Sequence, residues 1–491
     1  MPSTMKKLLL SVGMAALLSA SAAAQNASDK IFAEALKPSS IGKQLRVLTD
    51  EIGGRVPGTP AMDRAVQWGL TAFKEAGGEN VHAEEFTIAQ GWAEGDTRFQ
   101  VTGPQQFRVR AVSFGWSPDI AAPIKARIVY VGEGKPEDFA KAGDITGAIV
   151  IASTDVLKTL DDLFAEYMKA PAIVVQAVKG KALALAFLAS REHDILYRHI
   201  HTQSGSVDVL PMLVIAREDG LRIARLQETG QKLEAQLVMP NRIGGEIKSA
   251  NVVAEILGSE KPDEFVVLGA HLDSWELGTG ALDNGCNAAL VIDALRTIKA
   301  SGLKPKRSIR FILFSGEEEG LLGSKAYVTQ HRNEMDSAVA ALIIDEGTGA
   351  VEGFSLGGRG DAEPAVKQIA APLAQWKANG LTTDAFWGTD NLDFLMEGVP
   401  TLVANQDAAN YLVNYHATSD TFDKVDMPQL KKHVAMMSYM TFAIADAPER
   451  LAKRQTRAEV EKLMKQTGLD SQIKLFGGWE EWEKGTRGRV R

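Results

Sequence analysis

Disulfides are the first thing this chain cannot have. Cys286 is its only cysteine, so no internal disulfide framework exists, and stability has to come from apolar cores and bound metal. Membrane helices are the second. Beyond the N-terminal segment no run is long and apolar enough to span a bilayer, which takes about 20 residues. Nucleic acid as the main partner is excluded by charge: the formal net charge is −8, and no Lys/Arg cluster offsets it. Internal repeats and low-complexity tracts are also missing outside the N-terminus. What remains is an ordinary globular composition, 45% hydrophobic and 24% charged.

The N-terminus has its own pattern. Lys6-Lys7 precede an apolar run from Leu8 to Leu18, and Ala22-Ala23-Ala24 offer small residues before Gln25. That three-part order predicts a secretory signal peptide cleaved after Ala24, and hence a secreted or periplasmic protein. No Cys directly follows the cleavage site, so a bacterial lipid anchor has no attachment residue.

The mature chain is long enough for two to three domains. A helical stripe at Ile41–Leu48, a Gly/Pro loop at Gly53–Pro60 and a helix over Ala61–Ala76 open it. Between 103 and 245 the texture changes to short strands (Ala126–Val131, Gly147–Ala152, Ala172–Val175) with turns and short helices, predicting an inserted α+β domain. From Ala250 strands at Asn251–Leu257, Phe265–Leu268, Ser308–Phe314, Ala338–Ile344 and Pro400–Val403 alternate with helices. The expected fold is α/β: a mixed, mostly parallel sheet with helices on both faces. The catalytic domain is then 25–102 plus 246–450, and 451–491 reads as a peripheral extension.

Chemistry gathers at strand ends. Phe265–Leu268 leads into Gly269-Ala270-His271-Leu272-Asp273, with Glu276 and Asp283 close behind; Phe311–Phe314 leads into Glu317-Glu318-Glu319; Ile343-Ile344 leads into Asp345. Parallel strands put these ends on one edge, the edge where open α/β sheets bind ligands, and His416 can reach it from a loop. Two imidazoles and several carboxylates cannot share a dry pocket without a cation, because like charges would raise one another's pKa values. Zinc takes His and carboxylate ligands and keeps a position open for water. Two Zn2+ ions fit the donor count: His271 and Asp345 on one, Glu318 and His416 on the other, Asp283 bridging, and a water or hydroxide between them. Glu317 is left as the general base, and Asp273 is placed to orient His271 by accepting its second N–H.

His271-Leu272-Asp273, Asp283-Asn284-Gly285, Glu317-Glu318 with Gly320 and Gly323-Ser324, Asp345, and His416 with Asp420-Thr421 resemble the ligand motifs of the co-catalytic zinc aminopeptidases and glutamate carboxypeptidases. Asp273-Ser274-Trp275, Gly278–Ala281, Tyr415-His416, His201-Thr202 and Gly398-Val399-Pro400 are similar to the plasma glutamate carboxypeptidase branch. The resemblance covers nearly the whole mature chain, the insert being of protease-associated type. It implies hydrolysis of dipeptides or short peptides from a free terminus, commonly by a homodimer. One departure is Asn284, where many members carry a second Asp; little effect is expected, since the bridging role falls on Asp283.

Other readings stand beside this one. The same fold can serve a single-zinc glutaminyl cyclase or a non-catalytic receptor-like binding protein; here no ligand is missing. Gly353-Phe354-Ser355-Leu356-Gly357 matches a serine-hydrolase elbow but lacks an evident strand before Ser355. His199-Ile200-His201 is a weak second metal motif, and Cys286 reads as packing. Trp275, Trp387, Asn391, Asp393, Asn414 and Tyr415 mark the neighbourhood of a substrate wall.

Overall fold

The computed structural model describes residues 26–103 and 105–490. The expected signal peptide and its cleavage after Ala24 lie outside the described residues. Among the described residues no helix is long and apolar enough to cross a membrane.

The chain builds two eight-stranded sheets and one small two-stranded one. The first sheet carries the acid-and-His loops. Its strands are β1 (Glu79–Ile88), β2 (Ile247–Ile256), β3 (Lys261–His271), β4 (Arg307–Phe314), β5 (Ala338–Ile343), β6 (Val351–Ser355), β7 (Gly380–Thr382) and β8 (Thr401–Gln406), in the order β1-β2-β4-β3-β5-β8-β6-β7. The central four, β4, β3, β5 and β8, are parallel, while β2 runs antiparallel to both its neighbours and β6 runs antiparallel to β8 but parallel to β7, so the sheet is mixed. Every residue of β3 from Phe265 to His271 is buried, which is why that segment reads as a continuous apolar run. Val266, Leu268 and Ala270 face one core with helices α1 (Pro60–Glu75), α2 (Cys286–Ala300) and α3 (Met427–Asp446). Phe265 and Val267 face the other, against Tyr327, Val328 and Phe394. Helices therefore cover both faces.

Register brings the loops level. His271 pairs with Phe314 across β3 and β4, and Gly269 pairs with Ile343 across β3 and β5. Asp345, two residues past Ile343, is thus level with His271.

Three segments differ from the sequence reading. Ala172–Val175 is not a strand; it lies inside a helix over Leu160–Lys179, started by a capping box between Thr159 and Asp162. Its buried residues Ala170, Ile173, Val174 and Ala177 recur at helical spacing, and a four-residue apolar run cannot by itself tell the two periods apart. The second sheet takes in Arg98–Thr102, so this lobe begins ahead of the expected boundary at 103. The C-terminal segment is not peripheral. Val460, Leu463, Ile473 and Trp482 form one core with Trp387, Leu392 and Met396, and the buried Arg487 pairs with Asp393 through two bonds of 2.8 and 2.9 Å.

Candidate metal centre

The loop after β3 is held in shape by groups with no chemical task of their own. Arg55, fully buried, donates from Nε to the Leu272 carbonyl (2.6 Å), from Nη1 to Gly53 (3.0 Å) and Thr279 (2.8 Å), and from Nη2 to Gly280 (2.8 Å). Burial lowers its pKa to about 10, with Asp420 and Asp273 opposing that shift. Asp420 accepts the N–H groups of Leu282 (2.7 Å) and Asp283 (3.1 Å), one on each oxygen. Gly280 takes a left-handed turn whose φ of 59° puts its missing Cβ against Ser274, so a side chain there would collide. The Asp283–Asn284 peptide bond is cis.

Among the described residues, two groups of donors converge tightly enough to hold a metal ion. One is His271, Asp283 and Asp345; the other is Asp283, Glu318 and His416; within each the donor atoms lie within 4.8 Å of one another. His271 Nε2 stands 3.2 Å from Asp283 Oδ1 and 3.0 Å from Asp345 Oδ1. His416 Nε2 stands 3.4 Å from Asp283 Oδ2 and 2.6 Å from Glu318 Oε2. Asp283 is the common member, one oxygen toward each imidazole.

The donor set fits divalent cations. Asp283 Oδ2, Glu318 Oε1 and Asp345 Oδ1 are buried without a hydrogen-bond partner, a costly state that a cation relieves. Burial, reinforced by Asp283, pushes the Glu318 carboxyl well above the ordinary range; burial and His271's carboxylate neighbours act on Asp345 in the same upward direction overall. The two imidazoles go opposite ways. Burial lowers both, but Asp345, Asp273 and Asp283 outweigh it at His271 and hold that pKa well above its usual value. At His416 burial wins, and the pKa falls to about 4. A ring kept neutral offers its lone pair to a metal.

Glu317 lies in neither group. It is half-buried, and burial together with Asp345, Asp390 and Glu318 raises its carboxyl well above the ordinary Glu range despite His271. Gly316 and Gly320, which flank the Glu317–Glu319 run, both have positive φ (75° and 116°) and turn the chain on either side of it.

Asp273 differs from expectation. The Nδ1 of His271 faces the main-chain carbonyl of Asp273 at 3.0 Å, while the carboxylate Oδ1 is 3.6 Å away. Asp273's carboxylate instead accepts the Glu318 N–H at 3.2 Å, tying the two loops together. Glu276 belongs to neither donor group and pairs with Arg198. Of the expected wall, Trp275 and Tyr415 do flank His416, with ring centroids 6.0 and 3.6 Å away, and Asn414 is buried beside them in sequence. Asp393 and Trp387 are occupied elsewhere: Asp393 binds Arg487, and Trp387 packs on Phe476.

The remaining motifs resolve plainly. Ser355 does follow a strand, β6, contrary to expectation, but its buried hydroxyl donates to the Asp384 carbonyl at 2.7 Å. His199 is stacked between Phe114 and Tyr167, His201 pairs with Asp208 at 2.6 Å, and neither belongs, among the described residues, to a donor group that could hold a metal ion. Cys286 is buried at the start of α2, its thiol pushed up by burial.

A mixed α/β sheet at whose edge the loops after β3, β4 and β5, joined by a loop bearing His416, bring together two His and three carboxylates with Glu317 alongside is the arrangement of a metallopeptidase. Residues 251–441 match the model for Peptidase family M28. The chain carries a Peptidase M28 domain and is a metallopeptidase. It is 29% identical to rat carboxypeptidase Q over 417 residues, 84% of this chain and 86% of that one. Its fold is similar to a Peptidase M28 precursor from Shewanella amazonensis, with a TM-score of 0.78 at 26% identity over 89% of this chain and 99% of that one. It also shares the fold of the zinc aminopeptidase BSAP from Bacillus subtilis, with a TM-score of 0.64 at 18% identity, covering 84% and 96% of the two chains.

Sequence patterns had located all the converging donors but neither Arg55 nor the binding mode of Asp420. Arg55 sits in a glycine-rich loop more than 200 residues from the Leu272, Thr279 and Gly280 carbonyls it holds. Carbonyl partners leave no trace in side-chain identity.

Proposed function

We propose that the protein is a two-zinc exopeptidase that hydrolyses dipeptides or short peptides from a free terminus. The observation that carries this reading is the shared position of Asp283 between the two donor groups. His271 and Asp345 would hold one ion, Glu318 and His416 the other, and Asp283 both. When bound, the ions supply Lewis-acid polarisation of the scissile carbonyl and lower the pKa of water at neutral pH.

The chain's own residues do the rest. Glu317 takes the proton of the attacking water on its carboxylate and returns it to the departing amine, a role open to it because it belongs to neither donor group while its neighbour Glu318 does. Asp273 acts at one remove: its carbonyl fixes the His271 tautomer and its carboxylate fixes the backbone of Glu318. The similarity to carboxypeptidase Q over 84% of the chain supports the exopeptidase reading. The second lobe, from Arg98, is read as an insert of protease-associated type. The signal-like N-terminus supports a secreted or periplasmic enzyme, and the family resemblance a homodimer.

The test is a dipeptide library assayed against N-blocked and C-amidated counterparts, before and after chelation. Hydrolysis should require one free terminus, vanish on metal removal and return with zinc. Activity surviving full metal removal would contradict the proposal.

A further inference from the structure

A short segment of the second lobe runs alongside the metal centre. Leu196 to Arg198 runs antiparallel beside His416 to Thr418, with a bridge between Tyr197 and Ala417. The Arg198 N–H donates to the His416 carbonyl at 2.9 Å, and the Thr418 N–H donates to the Leu196 carbonyl at 3.0 Å. The Arg198 carbonyl in turn faces His416 Nδ1 at 3.1 Å. A carbonyl can only accept, so Nδ1 carries the hydrogen and Nε2 presents its lone pair toward Asp283 and Glu318.

The side chain of the same residue is anchored just as firmly. Arg198 is fully buried, and its guanidinium donates to the Ser113 carbonyl, to Glu94 at 2.6 Å and to Glu276 at 2.5 Å. Ser113 belongs to the second sheet, whereas Glu276 stands between His271 and Asp283 in the loop after β3. One residue therefore joins the second lobe, the loop bearing two donors and the backbone of a third.

We propose that Arg198 is a positioning residue for the metal centre: its backbone sets the tautomer and place of His416 while its side chain ties that backbone to the loop of His271 and Asp283. The second lobe is then a working part of the Glu318–His416 position. This rests on reading His416 as a metal ligand. The role is asymmetric, because the ring of His271 takes its Nδ1 backing from the Asp273 carbonyl within its own loop, whereas that of His416 takes it from Arg198.

The test is zinc titration of the full-length protein against a chelating indicator, for wild type, Arg198→Gln, Glu276→Gln, His416→Ala and the Arg198→Gln/His416→Ala pair. Arg198→Gln should weaken one zinc equivalent about 10–100-fold and leave the other unchanged, as expected for an outer partner of a ligating His. The double variant should match His416→Ala alone. Removing Arg198 leaves two carboxylates unpaired and can cost folding, so Glu276→Gln, which keeps the Glu94 pair, must weaken the same equivalent to a smaller degree. Equal weakening of both equivalents, or of neither, overturns the inference while leaving the two-zinc reading intact. A wild-type protein that binds no pair of zinc ions overturns that reading and this inference with it.

Discussion

Asp420 spends its carboxylate on the main chain of Asp283: Oδ2 accepts the Asp283 N–H at 3.1 Å while Oδ1 accepts that of Leu282 at 2.7 Å. Burial raises its pKa to about 7, the cost of holding an acid there. Asp420→Asn can accept only one of the two N–H groups, because its amide nitrogen is a donor. Zinc affinity should fall about 10–100-fold, as for other outer partners of metal ligands. Chelator competition measures it; unchanged affinity would remove Asp420 from the support of the centre.

Glu317→Gln separates the general base from the ligands. It should retain the zinc content of wild type and lose about 10²–10⁴-fold in kcat, the usual range for removing a positioned base. Metal analysis and steady-state kinetics on the same preparation decide it. Turnover near wild type would assign the proton transfer to another group, and loss of zinc would make Glu317 a ligand.

Far from the centre, His331 Nε2 lies 3.0 Å from Glu84 and its Nδ1 lies 3.0 Å from Glu334. Burial opposes its charge, but Glu84 and Glu334 raise its pKa overall. A pKa raised on folding contributes stability that is complete below the unfolded value of about 6.5 and lost as pH climbs through the folded value. His331→Gln should therefore melt below wild type at pH 6 and approach it at pH 9. A gap that stayed constant, or widened with pH, would show that the imidazolium is not the stabilising form.

Much of this was legible from the chain because Phe265–Ala270 of β3, Phe311–Phe314 of β4 and Ala338–Ile343 of β5 are buried on both faces and so read as apolar runs that lead into His271, the Glu317 loop and Asp345. Parallel pairing then places their next polar residues side by side. What escaped follows from long range or short length. Arg55 and Arg198 act on carbonyls and on acids far away in sequence, contacts that no local pattern encodes. Ala172–Val175 was too short to betray its period, and the C-terminal helices show their purpose only once Trp482 is seated against Met396 and Trp387. Asp273 was found, but its main-chain carbonyl rather than its carboxylate meets His271.

The most direct measurement is zinc per chain in Asp283→Ala beside Asp345→Ala and His416→Ala, each dialysed under the same conditions. A carboxylate shared by both positions predicts two zinc ions in wild type, about one in each single-position variant and well under one in Asp283→Ala. Asp283→Ala retaining as much zinc as Asp345→Ala or His416→Ala would contradict the shared centre.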